Sequence, residues 1–217
     1  MSRTASFLED PAARRAEMVR RQIKRRGVSD PLALAAMRTV PRHEFVPETE
    51  RPFAYDDRPL QIGHRQTISQ PYIVALMTEL CGLRGGESVL EIGTGSGYQA
   101  AVLAEIAGSV HSVEIIEPLL RRAAGTLLRL HYGNVVTRLG DGGAGWPEVG
   151  PFDAIVLTAA APRVPKLLRD QLGDGGRLVL PVGRGSQTLR VVTRRGEDYD
   201  TRDVVSVRFV PLTGNHA

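Results

Sequence analysis

The sequence predicts an α/β chain: a doubly wound, mostly parallel sheet with an antiparallel C-terminal finish, preceded by N-terminal helices. Three observations carry this reading. From Ser88 onward, short apolar runs alternate with helical patterns across short turns, the rhythm of a parallel sheet covered on both faces. A glycine-rich turn, Gly93-Thr94-Gly95-Ser96-Gly97, joins one such run to a helix, and ligands of open α/β sheets gather at that edge. The last two apolar runs flank a polar turn, Gly196-Glu197-Asp198, as the strands of a hairpin do.

The elements follow in order. Residues 1–9 are expected to be flexible, and 10–217 to form one domain, with 10–80 a helical lid segment and 81–217 the α/β core. Asp10-Pro11 reads as a helix cap followed by proline in the first turn. Ala12, Ala16, Val19 and Ile23 then recur at helical spacing until Gly27. The other faces carry Arg14, Arg15, Arg20, Arg21, Lys24, Arg25 and Arg26, read as solvated or, alternatively, as a grip on an acidic partner. Asp30-Pro31 starts a second helix, to Met37, after which Phe45, Phe53 and Tyr55 are expected to pin a proline-punctuated stretch to the body. Residues 59–68 read as an irregular approach to a helix from Pro71 to Leu80. Strands are expected at Ser88–Ile92, Val110–Glu114, Val135–Leu139, Phe152–Leu157 and Arg177–Pro181. Helices are expected at Tyr98–Ala107, Pro118–Leu130 and Pro165–Gln171, and closing strands at Leu189–Arg194 and Val204–Val210.

Composition bounds the function. With 217 residues, 42% of them hydrophobic and 24% charged, the chain can bury a core and resembles an ordinary enzyme in its make-up. Its net charge of +4 reflects an excess of arginine, weak grounds for a nucleic-acid partner. The one cysteine, Cys81, follows an apolar run and reads as a core residue; it excludes an internal disulfide. No run approaches the roughly 18 apolar residues that span a bilayer, and Met1 to Leu8 lack a signal-peptide stretch. A cytoplasmic protein without a membrane partner is expected. His43, His64, His111, His131 and His216 show no metal-ligand spacing, so no metal is expected.

The strongest local pattern is Glu91-Ile92-Gly93-Thr94-Gly95-Ser96-Gly97-Tyr98. A dinucleotide loop wants its third glycine at position 98, where this chain has Tyr98. The acid-x-Gly-x-Gly-x-Gly spacing instead resembles the first motif of the Rossmann-like methyltransferases. S-adenosylmethionine has no diphosphate to cradle, and the Glu91 carboxylate suits its sulfonium and ammonium. Glu114, ending the next strand, is placed to accept bonds from ribose hydroxyls; the alternative is a surface acid at a strand end. Asp141-Gly142 follows the third strand, where the carboxylate would take the adenine amino group, unless the segment is only a glycine-rich turn. Thr158-Ala159-Ala160 closes the fourth strand with small residues beside the methyl group.

The acceptor is indicated by other text. Thr158-Ala159-Ala160-Ala161-Pro162 stands where nucleic-acid amino-methyltransferases carry Asn/Asp-Pro-Pro-aromatic, and no cysteine nucleophile follows a proline. The segments Ile62-Gly63-His64-Arg65-Gln66-Thr67-Ile68-Ser69-Gln70-Pro71, Asp153–Ala160 and Val207-Arg208-Phe209-Val210-Pro211-Leu212 closely resemble the protein-L-isoaspartate O-methyltransferase family, from about Arg14 to Gly214. The resemblance implies methylation of the free α-carboxylate of L-isoaspartyl residues in damaged proteins, with S-adenosylmethionine as donor and S-adenosylhomocysteine as product. The ester then collapses to a succinimide, whose hydrolysis restores some normal linkage. The family's active-site serine maps to Ser69, with Thr67 as a second hydroxyl. The Gln66–Ser69 segment, including Ile68, would lie over the cofactor beside Gly93, Thr94, Gly95, Gly97 and Thr158. Val210, Pro211, Leu212 and Thr213 would help form the substrate cleft. The last two strands would be ordered unlike those of other methyltransferases.

Independently of family, Pro71 makes Gln70 the helix cap, and free amides at that helix start favour an anion. Thr67 and Ser69 would orient its oxygens, or simply stabilise the turn. His64 reads equally as a substrate contact or an exposed loop residue. Arg65 is the one departure, replacing a glycine of the family pattern Gly-x-Gly-Gln-Thr-Ile-Ser. If its φ is positive, arginine there costs about 1 kcal/mol or more. Two other readings remain: a methyltransferase for RNA or a small molecule, and a binding protein that keeps the fold as a scaffold.

Overall fold

The computed structural model describes residues 10–215; the expectations for residues 1–9 and for His216 lie outside them. Asp10 accepts the Ala12 amide, and Pro11 opens helix α1, Pro11–Met18. The helical path continues through a π turn, Val19–Ile23, and a 3-10 turn, Lys24–Arg26, until Gly27 turns it at φ +98°. The buried face is Met18, Val19 and Ile23, whereas Ala12 and Ala16 are exposed. The expected face is therefore corrected, because the wider π turn breaks a uniform 3.6-residue repeat. Arg14 and Arg15 also leave the solvated face: Arg14 donates to the Pro52 carbonyl at 2.7 Å, and Arg15 to the Arg38 carbonyl. That carbonyl lies in the last turn of helix α2, Pro31–Thr39, where acceptors lack helical partners.

Phe45 and Tyr55 are buried as expected, but Phe53 is 44% exposed. It ends a 3-10 turn, Glu48–Phe53, that buries none of its residues, and Arg58 covers its ring. Residues 60–68 are ordered, not irregular: Leu60–Gly63 (β1) and Gln66–Ile68 (β2) form an antiparallel hairpin. Leu60, Ile62 and Ile68 anchor it in the core, and Arg122 ties the Ile62 carbonyl to the body. The two turn residues, His64 at φ +52° and Arg65 at φ +58°, both adopt the left-handed conformation that such short hairpins need. Helix α3, Pro71–Cys81, follows with Gln70 at the cap position, but the Gln70 side chain binds Asp57 and caps nothing. Cys81 is buried and donates to the Met77 carbonyl.

The main sheet contains β3 (Ser88–Ile92), β4 (Ser109–Glu114), β5 (Val135–Leu139), β6 (Phe152–Leu157), β7 (Leu172–Val182), β8 (Gln187–Arg195) and β9 (Asp198–Val207). Among the described residues its order is β5-β4-β3-β6-β7-β8-β9, with β8 and β9 antiparallel. Helices α4 (Tyr98–Ala104), α5 (Glu117–Arg129) and α6 (Lys166–Arg169) connect the parallel strands. β7 begins earlier than its apolar run, since Leu172 pairs with Phe152 across an irregular register that Gly173, Gly175 and Gly176 obscure in the sequence. β9 is shifted toward the turn, because Arg195 pairs directly with Asp198, and the chain leaves the sheet after Val207.

Side chains alternate between two cores. Val89, Ala154 and Val156 face the N-terminal helices, α3 and α4; Leu90, Ile92, Ile155 and Leu157 face Leu168 of α6 and Phe152. β3 lies between β4 and β6, so successive connections leave it in opposite directions. The crevice at the carboxyl ends of β3 and β6 is the switch point where such sheets bind ligands.

Candidate active site

The β3–α4 loop is shaped by its glycines. Gly93 sits at φ +94°, and a Cβ there would come within 2.3 Å of Thr158 Oγ1. Thr158 donates that hydroxyl to the Gly93 carbonyl at 2.6 Å, locking the loop to the end of β6. Gly97, at φ +86°, admits close packing by Ala123 and Leu127 of α5, with a Cβ position 3.2 Å from Ala123. It therefore shapes the loop from beneath and does not line the cleft.

Two adjoining cavities, of about 580 and 380 Å³ including space open to solvent, share Thr67, Gly93, Gly95 and Thr158. The larger is floored by Gly142 and Glu114, roofed by Gln66, and closed by Val210–Thr213. This last segment reaches the site by pairing with the end of β6: Ala160 donates to Val210, and Leu212 to Ala160, both at 2.8 Å. The smaller cavity adds Ile68, Ser69, Glu91 and Thr94. Residues read from three distant parts of the sequence thus meet at one crevice.

The two glutamates differ. Glu114 accepts the Gly95 amide on one oxygen at 2.8 Å and the Ile115 and Ile116 amides on the other at 3.0 and 2.9 Å. Three of about four acceptor directions are used, so the carboxylate is fixed where it lines the larger cavity. Glu91 is fully buried. Burial pushes its carboxyl up to about 8, the Ser112 hydroxyl opposes that, and Glu114 adds to it. Ser112 bonds one oxygen at 2.5 Å and joins Thr94 at 2.6 Å, while Glu91 Oε1 makes no full hydrogen bond and has the Ala100 amide near enough to favour the ionised form slightly. A buried, under-satisfied carboxylate oxygen beside a glycine wall fits a cationic ligand that approaches the backbone closely.

Asp141 lies off both cavity walls. It caps the turn at Gly142–Ala144 and accepts the Gly143 and Asn215 amides, so it supports Gly142 and the tail. His64 is exposed at the hairpin tip. No group of three His, Cys, Asp or Glu residues among those described is arranged for a metal ion, and no described helix is long and apolar enough to cross a membrane.

Sequence reasoning missed Ser112 and Arg42. Ser112 stands directly opposite Glu91 in the β3–β4 register; a serine at an inward position of a buried strand was the available sign. Arg42 is fully buried and donates to the Ala54 and Ser69 carbonyls at 2.8 Å each. No periodicity marks it.

Comparison with known proteins matches residues 13–217 to the family model "Protein-L-isoaspartate(D-aspartate) O-methyltransferase (PCMT)". A protein-L-isoaspartate O-methyltransferase of Opitutus terrae is 56% identical over 92% of this chain and 86% of its own. A solved protein-L-isoaspartate O-methyltransferase structure superposes with a TM-score of 0.82 at 32% identity, over 92% of this chain and 66% of that one. A Plasmodium falciparum structure, described as a putative member in complex with S-adenosyl-L-homocysteine, gives 0.81 at 26% identity over 93% and 99%. With the fold, the glycine loop and the hairpin that roofs it, these matches place the chain in the protein-L-isoaspartate(D-aspartate) O-methyltransferase family.

Proposed function

We infer that the chain transfers a methyl group from S-adenosylmethionine to the free α-carboxylate of L-isoaspartyl residues in damaged proteins, initiating repair through a succinimide. The observation that carries this is the roofing of the Glu91–Gly97 loop by Thr67 and Ser69 of the hairpin segment, in one shared cavity. The donor supplies an electrophilic methyl on a positively charged sulfur. A carboxylate is already nucleophilic, so the residues need not remove a proton from it. Their task is to exclude water and align one oxygen with the methyl.

Ser69 and Thr67 serve as hydroxyl donors to the acceptor carboxylate, and Gln66, Ile68 and Thr158 enclose the reacting centre. Gly93, Thr94, Gly95 and Gly142 form the cofactor wall, with Gly97 and Asp141 holding that wall in shape. Glu114 takes a ribose hydroxyl, and Glu91 offers its under-satisfied carboxylate to the positive end of the donor. Val210, Pro211, Leu212 and Thr213 line the way in for the peptide. The reaction as proposed needs no metal, nucleic acid or membrane, and suits the cytoplasm, where proteins age.

Labelled methyl transfer to paired peptides that differ only in an isoaspartyl or aspartyl linkage tests the assignment. Labelling of the isoaspartyl peptide alone is expected; equal labelling of both, or of neither, overturns it.

A further inference from the structure

Arg42 heads the large, fully buried side chains among the described residues, and no ion pair among them includes it. Its Nε donates to the Ala54 carbonyl and one Nη to the Ser69 carbonyl, while Nη1 makes no full hydrogen bond and is eased only by the neutral Tyr98 hydroxyl. Its guanidinium lies 4.9 Å from the centroid of the Tyr98 ring. Ser69 and Tyr98 both line the smaller cavity, and Arg42 stands behind them without lining it. Burial lowers Arg42 to about 10, with the Tyr98 and Tyr55 rings the titratable groups facing it, so it stays charged at neutral pH.

A buried cation held only by neutral groups, without a carboxylate beside it, is costly. This one does two things for an anion in the cavity. It draws the Ser69 carbonyl, a negative dipole end, toward the protein interior, and it leaves net positive charge behind the wall. We propose that Arg42 is a positioning residue that selects a negatively charged acceptor, acting through the Ser69 backbone and through its own unneutralised charge. The acceptor would be recognised by charge as well as by shape, and a neutral isostere would be turned away. This rests on the functional reading above and adds the source of the preference.

The test uses the full chain with S-adenosylhomocysteine bound, so that no transfer occurs. Two peptides are titrated, one with the free isoaspartyl α-carboxylate and one with that group as the α-carboxamide. Wild type is expected to prefer the carboxylate by about tenfold or more, as a charge seen through a partly buried wall implies. Arg42→Met should bring the two peptides within about threefold of each other while S-adenosylhomocysteine affinity and unfolding midpoint show a folded protein. Arg42→Lys, which restores the charge, should restore the preference. An Arg42→Met protein that keeps the wild-type preference would overturn the proposal, as would one that is unfolded or loses S-adenosylhomocysteine binding, because either assigns Arg42 to packing. Wild type that methylates no isoaspartyl peptide would overturn the functional reading itself, and the proposal with it.

Discussion

Replacing Glu91 with glutamine removes a titration that the cofactor-free protein carries in its core. Burial holds this carboxyl at about 8, against an ordinary value of 4.5. Between those values the folded chain keeps a proton that the unfolded chain has released, so stability falls as pH rises. The slope for one proton is about 1.4 kcal/mol per pH unit. From about pH 5.5 to about pH 7.5, wild type should therefore lose roughly 2 to 3 kcal/mol more than Glu91→Gln. Urea unfolding of both proteins at the two pH values measures this. Positive charge on the bound donor reverses the preference, so binding near pH 6.5 should release about one proton, seen as a buffer-dependent heat in calorimetry. Parallel stability profiles for the two proteins would refute the reasoning, since Glu91 would then already be ionised at the lower pH.

Other substitutions separate the roles assigned to the site. Ser69→Ala should lower turnover about 10- to 100-fold, the worth of one hydrogen bond to a charged group, with S-adenosylhomocysteine affinity little changed. A large loss of cofactor binding would instead place Ser69 in the cofactor pocket. Glu114→Ala should weaken S-adenosylhomocysteine by about 10- to 100-fold, because it loses a ribose contact and frees three backbone amides; unchanged affinity would exclude the ribose role. Gly93→Ala combines positive φ with overlap on Thr158, a cost of about 3 kcal/mol or on the order of 10 °C in melting temperature. Adding Thr158→Ala should recover the overlap part, and a double variant no more stable than the single one would contradict that geometry.

Much of the sheet was legible because apolar runs and glycine turns are local. Ser88–Ile92, Val135–Leu139 and Phe152–Leu157 occupy their expected residues, each a short run bounded by turn residues. The hairpin at 60–68 was not, since His64-Arg65 lacks the Asn-Gly chemistry that announces a left-handed turn. Its form depends on burial of Leu60, Ile62 and Ile68, a tertiary effect. Arg14 and Arg15 were misplaced for a related reason: a charged residue in the sequence does not show which carbonyl awaits it. At the site, motif residues were readable individually, but the pairing of Ser112 with Glu91 and the buried position of Arg42 exist only once separate segments meet. Asp141 shows the converse. Its location at the sheet edge was foreseeable, whereas its engagement with Gly143 and Asn215 was not.

The wall at Val210–Leu212 joins the body as a short parallel bridge: among the described residues two main-chain bonds at Ala160 span that junction, flanked by Gln187 on Phe209 and Asp141 on Asn215. Such a seam can part at a small fraction of the free energy that separates native from unfolded protein. The donor and its spent product can therefore exchange by local peeling of this strip while the seven-stranded scaffold stays shut.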